Sequence, residues 1–259
     1  MLRKIARAVL VLALCVVTLG VSSAFATATT AMVKSTAVFF LDREPGNEPY
    51  PTRMLVTSKF LRIDDGTEEG DFLLFNRHQK IIYSVSRADK QVLAIAAKTI
   101  TLTPPTNFTH KIVTDPAHFP SVGGHRVNHY ELLTNGERCY DVYAAKGLLP
   151  EALSALREYR QALAGEQAAM VPVTPEEFEN RCDLANHVFL PARHLAYGFP
   201  VRFSDMTGKT SELVDIQLNF KASAELFRVP ERYKRLRIED LRTSDEKNKL
   251  GQEHSHQQN

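Results

Sequence analysis

Three histidines and a lysine-containing turn are the parts of this 259-residue chain whose residue types and spacing could do chemistry. His118, His125 and His129 fall close together, and the last two would share one strand face, where imidazoles could bind a metal ion. Single histidines on the polar face of a sheet are much commoner, and no carboxylate stands between these three at a ligand spacing. We therefore predict no metal site.

The segment Gly208-Lys209-Thr210-Ser211 resembles the end of a phosphate-binding loop. Such a loop needs a glycine five positions before Gly208, where this chain has Phe203. The segment also lies between two predicted strands, so a hairpin turn is the better interpretation. The chain contains neither the G-x-S-x-G pattern of a nucleophile elbow nor the H-E-x-x-H pattern of a zinc helix. We predict no catalytic residue, no cofactor and no enzymatic activity.

Cys139 and Cys182 are the two cysteines that follow the N-terminal segment. An even pair of cysteines in an exported protein favours a disulfide, because the compartments outside the cytoplasm are oxidising. The alternative is a thiol or metal site, but no C-x-x-C pattern supports it. We predict a Cys139–Cys182 disulfide, which the chain-entropy model values at about 4 kcal/mol of stability.

The N-terminus has the three parts of a secretory signal peptide. Arg3, Lys4 and Arg7 form a basic head, an apolar run covers 8–21, and small residues end at Ala26. A membrane anchor is the alternative, but the apolar run is shorter than the roughly 20 residues that span a bilayer. We predict export and cleavage after Ala26.

Composition and charge indicate one globular domain without a nucleic-acid surface. The formal net charge is only +2, and the basic residues of the predicted signal peptide account for that excess. No electrostatic footprint for nucleic acid is left. We predict a flexible leader at 27–35, a single domain at 36–241, and a disordered tail at 242–259, where apolar residues disappear.

Strict alternation of apolar and polar residues from Val214 to Lys221 predicts a half-buried strand with one apolar face. The residues expected on that face are Val214, Ile216, Leu218 and Phe220. Upstream, short apolar runs separated by polar turns predict an antiparallel meander rather than alternating strands and helices. The predicted upstream strands are Thr36–Asp42, Thr52–Ile63, Asp71–Phe75, Lys80–Val85, Gln91–Ala97, Arg126–Leu133 and Glu137–Ala145.

Two segments in the middle of the chain have helical rather than strand periodicity. From Pro150 to Leu163 apolar residues recur at helical spacing, with Gly165 suited to a C-terminal cap. A second helix is predicted from Thr174 to Phe189, opened by a capping box with proline at its first position. The predicted fold class is therefore α+β and mainly antiparallel.

Several phrases of the sequence resemble the LolA-like superfamily of periplasmic lipoprotein carriers and their uncharacterised relatives. They are MLVTSKFLRIDDG, DFLLFNRHQKIIYSV and VGGHRVNHYEL, followed by GFPVRF and AELFRVPERY near the end. The resemblance implies a curved sheet, or unclosed β-barrel, with the two helices as a lid over an apolar cavity for acyl chains. It also implies that the cavity is lined by a set drawn from the strand and both helices: Val214, Ile216, Leu218, Phe220, Leu153, Leu156, Phe178 and Phe189.

We accordingly predict a monomeric, non-enzymatic periplasmic protein that binds an acyl chain, a lipid or a lipidated protein, with a role in envelope or lipoprotein trafficking. The alternative is a structural or interaction module whose core is filled and whose surface contacts an envelope protein. A third class, an envelope hydrolase, would need a nucleophile and a base brought together by folding. No nucleic-acid partner is expected.

Overall fold

The computed structural model describes residues 31–174 and 180–238. The predicted signal peptide, its cleavage point at Ala26 and the predicted tail at 242–259 lie outside these residues. Within them the chain forms one curved, unclosed twelve-stranded sheet with two helices, which confirms the predicted fold class. No helix in the described ranges is both long enough and apolar enough to cross a membrane.

The strands follow the chain in two antiparallel meanders that meet at the first strand and the eleventh. Across the sheet they run β12-β6-β5-β4-β3-β2-β1-β11-β10-β9-β8-β7, so that β1 and β11 form the seam. Their bounds are β1 Met32–Arg43, β2 Tyr50–Val56, β3 Phe60–Asp64, β4 Phe72–Asn76, β5 Ile81–Ser86, β6 Gln91–Ala96, β7 His110–Asp115, β8 Val127–Thr134, β9 Glu137–Ala145, β10 Phe199–Asp205, β11 Thr210–Ser223 and β12 Lys234–Arg237.

Turn residues explain most of these boundaries. Asn135 and Gly136 join β8 to β9 with φ angles of 52° and 85°, which is the left-handed geometry that this pair favours. The prediction of a single strand over Thr52–Ile63 is wrong, because this segment forms a hairpin in which β2 and β3 pair. Its turn is closed by the Thr57 hydroxyl, which accepts hydrogen bonds from the backbone N–H groups of Lys59 and Phe60.

Three parts of the sheet were not expected from the sequence. β1 begins at Met32, so the last residues of the predicted leader already pair with β11. β7 forms one edge of the sheet, in a region where no strand was predicted. β12 forms the other edge and is parallel to β6, because the chain after β11 crosses the sheet before it pairs again.

The first helix, α1, runs over Pro150–Met170 and is longer than predicted. Gly165 is not its cap but lies buried in its interior. Glycine is needed there because a Cβ would collide with the carbonyl oxygen of Lys98. The second helix comprises α2 at Arg181–Asp183, capped by the Asn180 side chain, and a continuing π-helical turn at Leu184–Phe189. Most of the capping box predicted at Thr174 lies at 175–179, outside the described residues.

Alternate strand residues point to opposite sides of the sheet and build two large apolar clusters, beside a smaller third one on β8 and β9 around Leu132, Tyr140 and Val142. We call the side that packs against α1 the helix face. Its buried residues include Val38, Met54, Val56, Leu61, Phe75 and Ile82, with Leu153 and Ala155 from α1. We call the opposite side the back face, which is covered by the segment around Phe227. Its buried residues include Ala37, Leu55, Phe72, Leu74, Val85 and Val92.

Candidate functional site

A cavity of about 270 Å³ lies between α1 and the helix face of the sheet. Its apolar walls come from both layers. The sheet contributes Phe40, Met54, Ile63 and Phe203, and α1 contributes Leu156. A space of this kind, largely apolar with a few polar groups, is typical of a small-molecule site, although it is slightly below the usual range of about 300–1,000 Å³.

Ion pairs hold α1 over the sheet beside this cavity. The Arg77 guanidinium, in the turn after β4, donates to Glu158 at 2.7 Å and also contacts Glu151, both on α1. Lys80 adds a second cation at 2.8 Å from Glu158. The Arg77 hydrogen bond, with further ones from Lys80 and Ser154, lowers the pKa of Glu158 to about 2, although partial burial opposes the shift. The position of α1 is therefore set by charge as well as by apolar packing.

Two polar side chains enter the cavity from the helical layer. Arg160 lies one turn after Leu156 on α1, and it has no hydrogen bond or ion pair to any part of the chain that the structure describes. His194 belongs to the 3₁₀ helix Arg193–Tyr197 and is only 4% exposed. The guanidinium of Arg157 donates to the Leu195 carbonyl at 2.5 Å, which ties this 3₁₀ helix to α1.

The His194 ring is neutral and incompletely hydrogen-bonded. Burial, reinforced by the positive charge of Arg160, holds the pKa of His194 well below its usual range. Its Nδ1 atom is buried and has no hydrogen-bond partner among residues 31–174 and 180–238. Buried polar atoms in folded proteins almost always have a partner, so this unpaired atom in a residue that lines the cavity is an exception.

The sheet side of the cavity carries Asp42 and Lys209. Thr52 donates to one Asp42 oxygen at 2.8 Å, while the other oxygen is buried without a partner within the described ranges. Lys209 is satisfied, since its Nζ lies 2.5 Å from Glu44 and 3.1 Å from the Tyr50 hydroxyl. It follows a tight turn between β10 and β11, which confirms the hairpin interpretation of the glycine–lysine motif.

Of the residues predicted to line the cavity, Leu153, Leu156 and Ile216 come together in the helix-face cluster. Leu156 also lines the cavity itself. Phe189 lies elsewhere, with its ring 6.2 Å from that of Phe108. Phe178 falls at 175–179, outside the described residues.

The predicted common face of Val214, Ile216, Leu218 and Phe220 is wrong. Phe220 packs on the back face, opposite to Ile216. Val214 and Leu218 are 65% and 64% exposed. The physical reason is a pair of irregularities in β11, one near Val214 and one beside Asn219, whose φ is 61°. Each adds a residue to β11 relative to β1 and shifts the side-chain alternation.

Sequence reasoning did not identify Arg160 and His194. Arg160 follows Leu156 by four residues and is adjacent to Tyr159, so the helical stripe could have placed it at the margin of the apolar face. His194 lies in a short 3₁₀ helix, where no periodic pattern indicates which side chains are buried. Only the folded chain brings these two residues to one cavity.

The three histidines considered for metal binding have separate surroundings. His125 contacts the Lys146 carbonyl, and His118 lies 3.5 Å from Arg126. His129 lies with Glu131 and Asp141 in a group whose possible ligand atoms are within 4.8 Å of one another.

That group around His129 already contains a cation. Arg138 forms ion pairs with Glu131 at 3.0 Å and with Asp141 at 3.6 Å. The guanidinium supplies the positive charge that a metal ion would otherwise bring to these carboxylates. The cluster is thus accounted for as an ion-pair network on β8 and β9.

The predicted disulfide is present between Cys139 and Cys182, with a Cα–Cα distance of 5.2 Å. Both cysteines are buried. The bond links α2 to β9, as the sequence suggested. A disulfide of this kind fits an exported protein, because cytosolic thiols are kept reduced.

Neither a known protein family nor a curated protein sequence matches the chain. Among solved structures, an uncharacterised conserved protein from Thermus thermophilus is similar with a TM-score of 0.41 and 12% identity, over 79% of this chain and 90% of the other. PNGF-II is similar with a TM-score of 0.39 and 8% identity, over 82% of this chain and 32% of the other. A LolA superfamily protein from Nitrosomonas europaea is similar with a TM-score of 0.26 and 9% identity, over 78% and 91%.

The solved structures similar to this chain thus include a member of the superfamily that the sequence resembles. These likenesses are distant, since each of these TM-scores is below 0.5. What the chain does must therefore be inferred from its own cavity and side chains.

Proposed function

We propose that this chain is a non-enzymatic binding protein that holds an apolar ligand, such as an acyl chain of a lipid or of a lipidated protein, in the cavity under α1. The observation that carries this proposal is the cavity itself, whose walls are Phe40, Met54, Ile63, Leu156 and Phe203. Transfer of apolar surface from water into such a site is favourable by roughly 25 cal/mol per Å².

We place this activity in the periplasm, with a role in moving lipids or lipoproteins within the cell envelope. The buried Cys139–Cys182 disulfide supports an oxidising compartment. The signal-peptide pattern that ends at Ala26 supports export.

The test is native mass spectrometry of protein purified from periplasm without detergent, followed by addition of decanol. We expect a co-purified mass that extracts into organic solvent, or a one-to-one complex with decanol. Leu156→Trp would fill the cavity, so it should abolish both the co-purified mass and the complex with decanol. Leu218→Trp is the matched control, because Leu218 is exposed and does not line the cavity, and this variant should bind like the wild type.

A protein that carries no extractable mass and binds no decanol would contradict the proposal. The interaction module with a filled core would then be the better description. Equal binding by Leu156→Trp and by the wild type would likewise show that the ligand sits elsewhere.

A further inference from the structure

We propose that the cavity under α1 selects an amphiphile with an anionic head group, and that Arg160 and His194 bind the oxyanion of that head group. This inference rests on the proposed function, because it names the ligand class of the same site. A carboxylate and a phosphate share the required chemistry: oxygen atoms that accept hydrogen bonds and carry negative charge.

The first step is the charge of Arg160. A guanidinium stays protonated in a protein and offers five N–H donors. The Arg160 guanidinium has no hydrogen-bond acceptor or ion pair within residues 31–174 and 180–238, although the side chain is half-buried and lines an apolar cavity. Among the other arginines of the helical layer, Arg157 donates to a carbonyl and Arg193 to Thr134. Arg160 is therefore placed where an incoming anion would complete its bonding.

The second step is the position of His194 in the same wall. This ring is 4% exposed, and its buried Nδ1 has no hydrogen-bond partner in the described chain. The ring is held by Tyr140 and Phe203, whose centroids lie 5.1 Å and 5.4 Å from its own. A proton on Nδ1 would donate to a ligand oxygen, so His194 can share with Arg160 the binding of one head group.

The third step is the orientation of the ligand. Asp42 is on the sheet side of the cavity, where its second oxygen has no partner within the described ranges. Lys209 beside it is neutralised by Glu44. An anion is thus repelled from the sheet side and attracted to the helical side, while Phe40, Met54 and Ile63 offer apolar surface to the chain. The head group lies by α1 and the tail lies along the sheet.

The experiment measures the binding of four ten-carbon probes to the intact mature protein by isothermal titration calorimetry. Decanoate and decyl phosphate carry the two oxyanions, decanol has no charge, and decylamine carries a positive charge. The variants are Arg160→Gln, Arg160→Lys and His194→Gln. Arg228→Gln is the charge control, because Arg228 is exposed, pairs with Glu225 and does not line the cavity.

We expect the wild type to bind decanoate, decyl phosphate or both about ten- to hundredfold more tightly than decanol, which is the usual strength of a charged hydrogen bond. Arg160→Gln should abolish this preference and leave decanol binding unchanged, whereas Arg160→Lys should retain part of it. His194→Gln should reduce the preference a few-fold. Whichever anion binds better distinguishes a fatty acid from a phosphorylated lipid.

Binding of decanol with no preference for the anions, or with a preference for decylamine, would overturn this inference and leave the proposed function standing. The same conclusion would follow if Arg160→Gln and Arg228→Gln bound decanoate equally well. Failure of all four probes to bind would overturn the proposed function itself. Circular dichroism of each variant confirms that the fold is intact, so loss of binding reports on the site.

Discussion

The two faces of the sheet both bury charged side chains, but the charges beside the cavity are less completely paired than the cluster on the back face. On the back face, the Asp64 carboxylate accepts hydrogen bonds from the guanidinium groups of Arg53, at 2.9 Å, and Arg62, at 2.5 Å. Arg62 is fully buried, lies 3.7 Å from the centroid of the Phe72 ring and donates to the Leu226 carbonyl. Its Nη2 atom is the one part of this network that has no hydrogen-bond partner within the described residues. On the helix face, Arg160 and one Asp42 oxygen have no partner in the described chain, and a cavity separates the two layers.

This difference separates structural charges from charges available to a ligand. Buried ions that are paired and hydrogen-bonded hold the segment around Leu226 to the back face, and removal of one of them leaves the others uncompensated. Buried charges without partners do not stabilise the folded state, so their presence next to a cavity needs another explanation. We therefore expect changes to the paired charges to destabilise the fold much more than changes to the unpaired ones.

Removal of the shared carboxylate on the back face should have the largest effect on stability. Asp64→Ala leaves Arg53 and Arg62 buried without their anion, which should lower the free energy of unfolding by about 3–5 kcal/mol. Urea denaturation measures this change. Glu212→Ala, which breaks the exposed pair with Arg43, is the control and should cost at most about 1 kcal/mol. Equal losses in the two variants would contradict the structural role of the network.

The disulfide provides the second test, because it anchors the helical layer covalently. Replacement of both Cys139 and Cys182 by Ala should lower the free energy of unfolding by about 2–4 kcal/mol, since the loop that it closes is long. Urea denaturation of the double variant and of the wild type gives the difference. Free thiols in the protein isolated from periplasm would refute the pairing.

Acidification should loosen α1 from the sheet. The pKa of Glu158 is about 2 in the folded protein, below its ordinary value of 4.5. Its contribution is therefore fully present above about pH 4.5 and is lost as the pH falls towards 2. Glu158→Gln should cost about 1 kcal/mol at neutral pH and show a smaller loss of stability between pH 5 and pH 3 than the wild type.

A control for this pH effect is Glu137→Gln, because Glu137 is exposed at the start of β9. This variant should lose stability between pH 5 and pH 3 to the same extent as the wild type. An identical pH profile for Glu158→Gln and the wild type, measured by urea denaturation, would contradict the assignment of the effect to Glu158.

The smallest effect is expected from the unpartnered groups of the cavity. Arg160→Gln should change the free energy of unfolding by less than about 0.5 kcal/mol, because it breaks no hydrogen bond within the described chain. His194→Leu should be equally mild or slightly stabilising, since it removes a buried polar atom without a partner. A loss above about 1 kcal/mol in either variant, measured by thermal and urea denaturation, would show that these side chains support the fold.

Local signals in the sequence predicted much of the fold. The Asn135–Gly136 pair determined the β8–β9 hairpin, and alternation identified most strands of the first meander. Pro150 marked the start of α1 correctly. These features depend on neighbours in the chain, which is why composition and spacing were sufficient to find them.

Features that depend on distant contacts were not predictable in this way. The added residues in β11 exist only relative to β1, so strict alternation gave Leu218 and Phe220 the wrong positions. Glycine is a residue typical of helix caps, yet Gly165 is needed inside α1, where the Lys98 backbone approaches the helix. The resemblance predicted an apolar cavity, but it gave no indication that Arg160 and His194 line it.

The seam between β1 and β11 has a consequence for how the chain is made. Lys34 pairs with Lys221, so the two meanders cannot join until nearly the whole chain is available. Pairings between residues so far apart in sequence slow folding, because the entropy of closing a long loop is lost before the new contacts stabilise the chain. During synthesis, the first meander therefore has an open, unpaired strand edge until β11 is made. Because β1 lies beside β11 in the sheet, we expect synthesis of β11 to limit the rate at which the sheet is completed.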